Sequence, residues 1–411
     1  MTLVSNLFLT SLYFGVIGIF ASTSAIGVHH IFLLIASLIY IFQNRHKKIG
    51  SQIFGFSKSS VSLWVFIISI IFSVILNMED IERPFKWMLK FKYFLIPLLS
   101  IPLTRNLKLS ESKWKYFIYF SFIVVMIANV SGFWGYQFGH NFLKPTGSIT
   151  PDRLSGLNGM VLTYAHNLSF LSILLVGYLI FFKDLSKKIL LNRSIVWVVL
   201  ITNVICLYLS STRGAWLSFV FSIPFLFLFK VNLKKWVLLC FSVGLLFVVG
   251  LKVSSLDKEF VGEKRAHSNT QRVAFFKAAY LSFIEKPVFG LGYKQFEFNV
   301  LDIKKRHNID WSDKAGHAHN NFLEHLASLG ILGAISFILF SLYWFIEVTK
   351  INAAQRYLLQ GFCAAVGISG LTQYTFGDGE NTVFIMLMWL FTIREFVKSG
   401  GTSWIRTFRL R

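Results

Sequence analysis

Two groups of side chains in this sequence stand where their chemistry has to be explained. The first is in His317–Gly333, HAHNNFLEHLASLGILG, where a polar segment runs straight into an apolar one and His317, His319, Asn320 and Glu324 crowd the boundary. Such groups at the mouth of an apolar helix are costly unless they pair, line a cavity or react. Asn320 and Glu324 are four apart, so a helix puts them on one face, with His319 in its first turn. Gly330 and Gly333 follow and are small enough to admit a neighbouring helix. A capped helix start is the plainer reading. The second group is three arginines: Arg153 in PDRLSGLNG, Arg213 in SSTRGAW and Arg272 in TQRVAFFKAAYLSFIE. A guanidinium fork pairs phosphate oxygens bidentately, so an arginine in a tight turn between apolar runs points to an anionic head group or a pyrophosphate.

The elements that must carry these residues are read from hydropathy. Of the 411 residues 55% are hydrophobic and only 15% charged, and apolar runs long enough to cross a bilayer recur throughout. About twelve spans are expected, near 4–22, 26–43, 60–77, 88–103, 116–134, 160–182, 195–210, 214–229, 236–253, 319–347, 355–372 and 381–396. The chain is therefore expected to be an all-α, polytopic membrane protein forming one integral membrane domain over residues 1–411. The net charge of +22 does not indicate nucleic acid, because many of the cations sit in short loops between spans. With the N-terminus in the cytoplasm, one side receives Arg45, Lys47, Lys48, Lys58, Lys230, Lys234 and Lys235, while the short loops opposite hold few, Arg83, Lys86, Lys144, Arg153 and Arg213. That asymmetry puts both termini in the cytoplasm. The long loop 254–318, between the ninth and tenth spans, falls on the outer face and escapes the charge rule because long translocated loops do. Within it Thr270–Glu285 has helical apolar spacing, is expected along the membrane surface, and ends at Pro287; Phe289–Phe296 reads as a glycine-rich turn. Cys206, Cys240 and Cys363 are isolated and give neither a disulfide framework nor a zinc pattern.

This topology gathers the reactive residues on the outer side, where each also has a plainer role. Arg213 could anchor a helix end to lipid phosphate, Arg272 could be a charge on an amphipathic face, and Arg153 could pair with Asp152. His166 reads as a hydrogen-bonded core histidine, and Asp378 and Glu380 as a solvated turn. His317 and His319 form an H-x-H that could ligate metal with Asp313, but Asp310 and Asp313 do not make the D-x-D of metal-dependent sugar transferases.

HNNFLEHLASLGILG resembles the H-N-x-x-L-E-x-x-x-x-x-G-x-x-G signature of the bacterial O-antigen ligase and O-antigen polymerase superfamily. SSTRGAW resembles that family's S-x-[ST]-R-[GA] turn, QRVAFFKAAYLSFIEKPVFGLG its arginine-bearing outer loop, and DRLSGLNG its R-x-x-G segment; the likeness runs from about residue 150 to the end. It implies a glycosyltransferase-C type enzyme with a large periplasmic loop, in the bacterial inner membrane. Such an enzyme moves a glycan from undecaprenyl pyrophosphate to lipid A–core at the periplasmic face; with a diphosphate leaving group, two arginines and a histidine base, direct displacement would invert the anomeric centre and need no metal or other cofactor. On the resemblance, Arg213 and Arg272 hold the pyrophosphate, His319 is the base, Asn320 and Glu324 support it, and Arg153 is a looser correspondence. A polymerase of lipid-linked repeats or a protein O-oligosaccharyltransferase would carry the same motifs. A polytopic transporter of lipid-linked sugars would instead place charged groups near mid-span in two repeated halves.

Overall fold

The computed structural model describes residues 2–46, 53, 57–140, 153–185, 190–253, 263–309 and 314–401, and among them there are helices and no strand. Thirteen helices matter here. The first eight are α1 (Thr2–Phe20), α2 (Thr23–Gln43), α3 (Lys58–Leu76), α4 (Glu111–Phe138), α5 (Val161–Ile180), α6 (Arg193–Leu209), α7 (Arg213–Ser222) and α8 (Leu233–Val253). The loop helices α9 (Glu263–Glu285) and α10 (Phe296–Arg306) follow, then α11 (Asn321–Thr349), α12 (Gln355–Thr372) and α13 (Gly379–Lys398).

Each of the twelve apolar stretches is helical, but seven helices among the described residues, α1 to α5, α8 and α11, are long and apolar enough to cross a membrane. The other five depart for local reasons. The fourth stretch is cut into short pieces, Lys92–Leu99 and Ile101–Asn106 among them, where Pro97 and Pro102 remove backbone donors. α6 has 17 residues, and α7 gives way at Ile223 to a 3₁₀ turn through Pro224. α12 is rich in glycine and polar side chains, and α13 carries Glu380, Arg394, Glu395 and Lys398.

α11 is the axis of the site. It packs on α3 through Phe66 and Phe337, with ring centroids 6.0 Å apart, and at its far end buried Glu347 accepts the backbone N–H of Ser59 at 2.9 Å. It is not continuous: Gly330 adopts φ 66°, ψ −162°, about 14 Å along from the first residue at ~1.5 Å per residue. The freed backbone groups are taken by the segment between α9 and α10. Leu291 and Gly292 donate to the carbonyls of Ala327 and Ser328 at 3.0 Å, and Ile331 donates to the Pro287 carbonyl at 2.8 Å. Ser73 on α3 adds bonds to the carbonyls of Phe289 and Ser328. Irregular backbone at such depth is tolerated only when protein satisfies it in this way.

The glycines therefore serve a purpose other than helix–helix approach. A Cβ on Gly330 would lie 2.4 Å from the Val288 carbonyl, and one on Gly290 2.5 Å from the Leu329 nitrogen, so both are reserved for the crossing of loop and helix. Gly333 faces the Leu329 side chain of its own helix. The glycine-rich turn forms with φ +63° at Gly290 and +109° at Gly292. α10 beyond it was not expected, and α9 begins seven residues before Thr270. α9 buries Ala274, Phe275, Ala278 and Ala279 against α10 and α11.

Gly330→Ala is expected to destabilise the protein by more than about 1 kcal/mol, since alanine fits neither the positive φ nor the space. Gly367→Ala, where a Cβ meets nothing within 4 Å, is the control. Thermal melting in detergent should separate the two.

Candidate active site

Helix ends converge at one end of the bundle. A cavity of about 210 Å³ there is lined by Arg153, His166, Arg213, Arg272, His319 and Gln373, among others, and none of the described residues that line it is acidic. The chain alternates direction between α5, α6 and α7 and between α11 and α12, which puts the starts of α5, α7 and α11 beside the ends of α6 and α12.

The turn between α6 and α7 is held open by strain and by Arg153. Ser211 has φ +49°, a left-handed conformation that non-glycine residues adopt only when their surroundings enforce it. Arg153 Nε donates to the Ser210 carbonyl and Nη2 to Thr212 Oγ1, both at 3.0 Å, and Leu154 N donates to the Leu209 carbonyl at 3.0 Å. Arg153 thus braces the turn that presents Arg213; Asp152, its expected partner, lies outside the described residues. Arg213 opens α7 and reaches α9, donating from Nη2 to Asn269 Oδ1 at 2.9 Å. Arg272 crosses from α9 to the end of α12, donating from Nη1 to the Thr372 carbonyl at 3.2 Å. The negative end of the α12 dipole faces this cationic cluster and offsets part of its mutual repulsion.

His319 stands just outside α11, not in its first turn. Asn320 is the N-cap: its φ of −155° is extended, and its side chain accepts the Leu323 N–H at 3.0 Å. A cap must lie outside the helix, so Asn320 and Glu324 do not share a helical face. Glu324, 1% exposed, turns back to accept the Ala318 N–H at 2.8 Å and the Ser328 hydroxyl at 3.3 Å. It thereby fixes the residue before His319, whose own φ is +48°. His319 Nδ1 lies 2.8 Å from Gln373 Oε1, and Gln373 Nε2 lies 3.0 Å from His317 Nε2. Burial, reinforced by the neighbouring ring and by Arg272, pushes His319 down to about 3. Burial likewise brings His317 to about 4. Both rings are neutral at pH 7.

His166 is a hydrogen-bonded core histidine, Nδ1 2.8 Å from Ser369 Oγ, and it also lines the cavity. Asp378 and Glu380 do not form a solvated turn. Asp378 accepts the Thr163 hydroxyl at 2.8 Å and Glu380 is 6% exposed, because the turn is packed under Lys294, which donates to the Gly377 carbonyl. Asp310 and Asp313 lie outside the described residues, among which no group of three metal-ligating side chains occurs. Gln373 and Lys294 were not singled out from sequence; a glutamine at a helix end and a lysine in a basic loop carry no signal of their own.

The buried histidines also set an acid limit. Above their ordinary value of 6.5 both the folded and unfolded states are neutral. Below it the unfolded chain takes up protons that the buried rings refuse, so stability falls as pH drops toward the folded values. Melting temperature in detergent is expected to decline from pH 6.5 to 4.5, and less steeply in a protein with His317→Gln and His319→Gln together.

No curated protein matches the chain. Residues 198–338, about a third of it, match the family model described as O-Antigen ligase, and that segment contains Arg213, Arg272, His319 and the break at Gly330. Arg153 lies outside it. These residues share one cavity of a helical protein with several membrane-length apolar helices, and the segment that carries most of them is similar to the O-antigen ligase family.

Proposed function

We propose that the protein transfers a glycan from undecaprenyl pyrophosphate to a lipid A–core hydroxyl at the periplasmic face of the inner membrane. The observation that carries this reading is a cavity lined by three arginines and a neutral histidine, with no acidic side chain among the described residues that line it. A diphosphate is already a good leaving group, and what it needs is charge stabilisation. Arg213 and Arg272 supply it, within a low-dielectric site where such donors are worth several kcal/mol. Arg153 acts by holding the 210–212 turn. The acceptor oxygen attacks the anomeric carbon, the carbon–oxygen bond to the diphosphate breaks, and the hydroxyl proton passes to His319. One displacement inverts the anomeric centre. Asn320 and Glu324 keep the histidine in place, and neither metal nor other cofactor takes part.

The outward direction of the cavity rests on the distribution of cations, which leaves the N-terminal ends of α5, α7 and α11 on the side opposite the lysine-rich loops. The lipid tail of the donor would remain in the bilayer beside the bundle. Ionisable groups gathered at helix ends suit a transferase better than a transporter of lipid-linked sugars.

With purified protein, lipid-linked glycan and lipid A–core in detergent, Arg213→Ala and Arg272→Ala are each expected to lower transfer on the order of 10²–10³-fold while melting near the wild-type temperature. His319→Ala should lower kcat more than it raises the donor KM. Transfer should survive EDTA, and its loss would overturn the metal-free scheme. Elongation of the lipid-linked glycan without transfer to lipid A–core would identify a polymerase instead.

A further inference from the structure

We propose that Gln373 is a positioning residue that fixes the tautomer of His319, keeping the proton on Nδ1 and leaving Nε2 as the ring's acceptor; this rests on the glycan-transfer reading above. Gln373 is 3% exposed and sits at the end of α12, its backbone N–H donating to the Ser369 carbonyl at 2.9 Å. Its amide oxygen can only accept and its amide nitrogen can only donate. With the oxygen 2.8 Å from His319 Nδ1, that nitrogen must carry a hydrogen; with the amide nitrogen 3.0 Å from His317 Nε2, the second ring must accept there. One side chain thus sets both rings, and in a buried site each mismatch would leave a polar atom unsatisfied.

The choice of an amide has a consequence for charge. A carboxylate in this place would stabilise the imidazolium, as the aspartate of a serine-protease triad does. Among the described residues, the charged and titratable groups around His319 are Arg153 before α5, Arg213 on α7, Arg272 on α9, His166 on α5, His317 beside it and, further off, Lys294 and buried Glu324. A neutral orienter among cations leaves the ring uncharged before the acceptor arrives. Gln373 orients the ring, and the small upward pull of its hydrogen bond is outweighed by burial, which keeps the ring neutral.

Three measurements on the full-length protein test this. Gln373→Glu keeps an acceptor opposite His319 Nδ1 and adds a negative charge, so the acid limb of the kcat/KM profile should move up by about one pH unit or more. Gln373→Leu should lower kcat on the order of ten- to a hundredfold with the donor KM within about twofold of wild type. Nitrogen NMR of ¹⁵N-histidine-labelled protein should show His319 protonated at Nδ1 and bare at Nε2. An unmoved acid limb in Gln373→Glu, or a His319 ring protonated at Nε2 instead, overturns the proposal even if Gln373→Leu does not fold. Wild-type kcat in Gln373→Leu with an inactive His319→Ala removes this role and leaves the transfer reading standing. Full activity of His319→Ala removes both.

Discussion

The break in α11 is the constraint on which the rest depends. A helix crossing a membrane satisfies its backbone internally, and interrupting one at Gly330 exposes carbonyls and N–H groups that lipid cannot satisfy. The segment from Pro287 to Gly292 answers those groups, and Ser73 on α3 with Asn77 at its C-cap tie the same segment from the other side. The loop between α8 and α11 is therefore built into the bundle through backbone hydrogen bonds. Arg272 inherits its position from this attachment, because α9 runs directly into it.

The cavity inherits its order from the same region. Glu324, one turn into α11, reaches back to Ala318, and the cap at Asn320 ends the helix so that His319 falls in a strained loop position. Strain recurs across the cavity at Ser211, where Arg153 pins the turn before Arg213. Two non-glycine residues with left-handed backbone, one His319 itself and the other Ser211 two positions before Arg213, are tolerated because the helices around them over-determine their conformation.

The three arginines are held by polar groups from other segments of the protein. Arg213 bonds to Asn269, Arg272 to the last carbonyl of α12, and Arg153 to a carbonyl and a hydroxyl. These partners are neutral dipoles. The site is dry enough to keep two histidines neutral.

Much of this was legible in the chain itself. Long apolar runs require helices, because a membrane leaves the backbone no other solution at low cost, and each expected stretch is helical. Arg153, Arg213, Arg272 and His319 stood out because an arginine in a tight apolar turn and a histidine at a span's mouth are expensive without a purpose. What the sequence left open was decided by contacts between distant segments. Gly330 looks the same whether it admits a helix or a loop, and only the crossing with Val288 tells them apart. Asp378 and Glu380 look like a hydrated turn until Thr163 and Lys294 are packed against it, and Gln373 is an ordinary glutamine until two histidines from another helix's approach arrive on either side of its amide. Local composition sets what each segment can form; which polar groups meet is a property of the packed bundle, since every partner comes from more than fifty residues away.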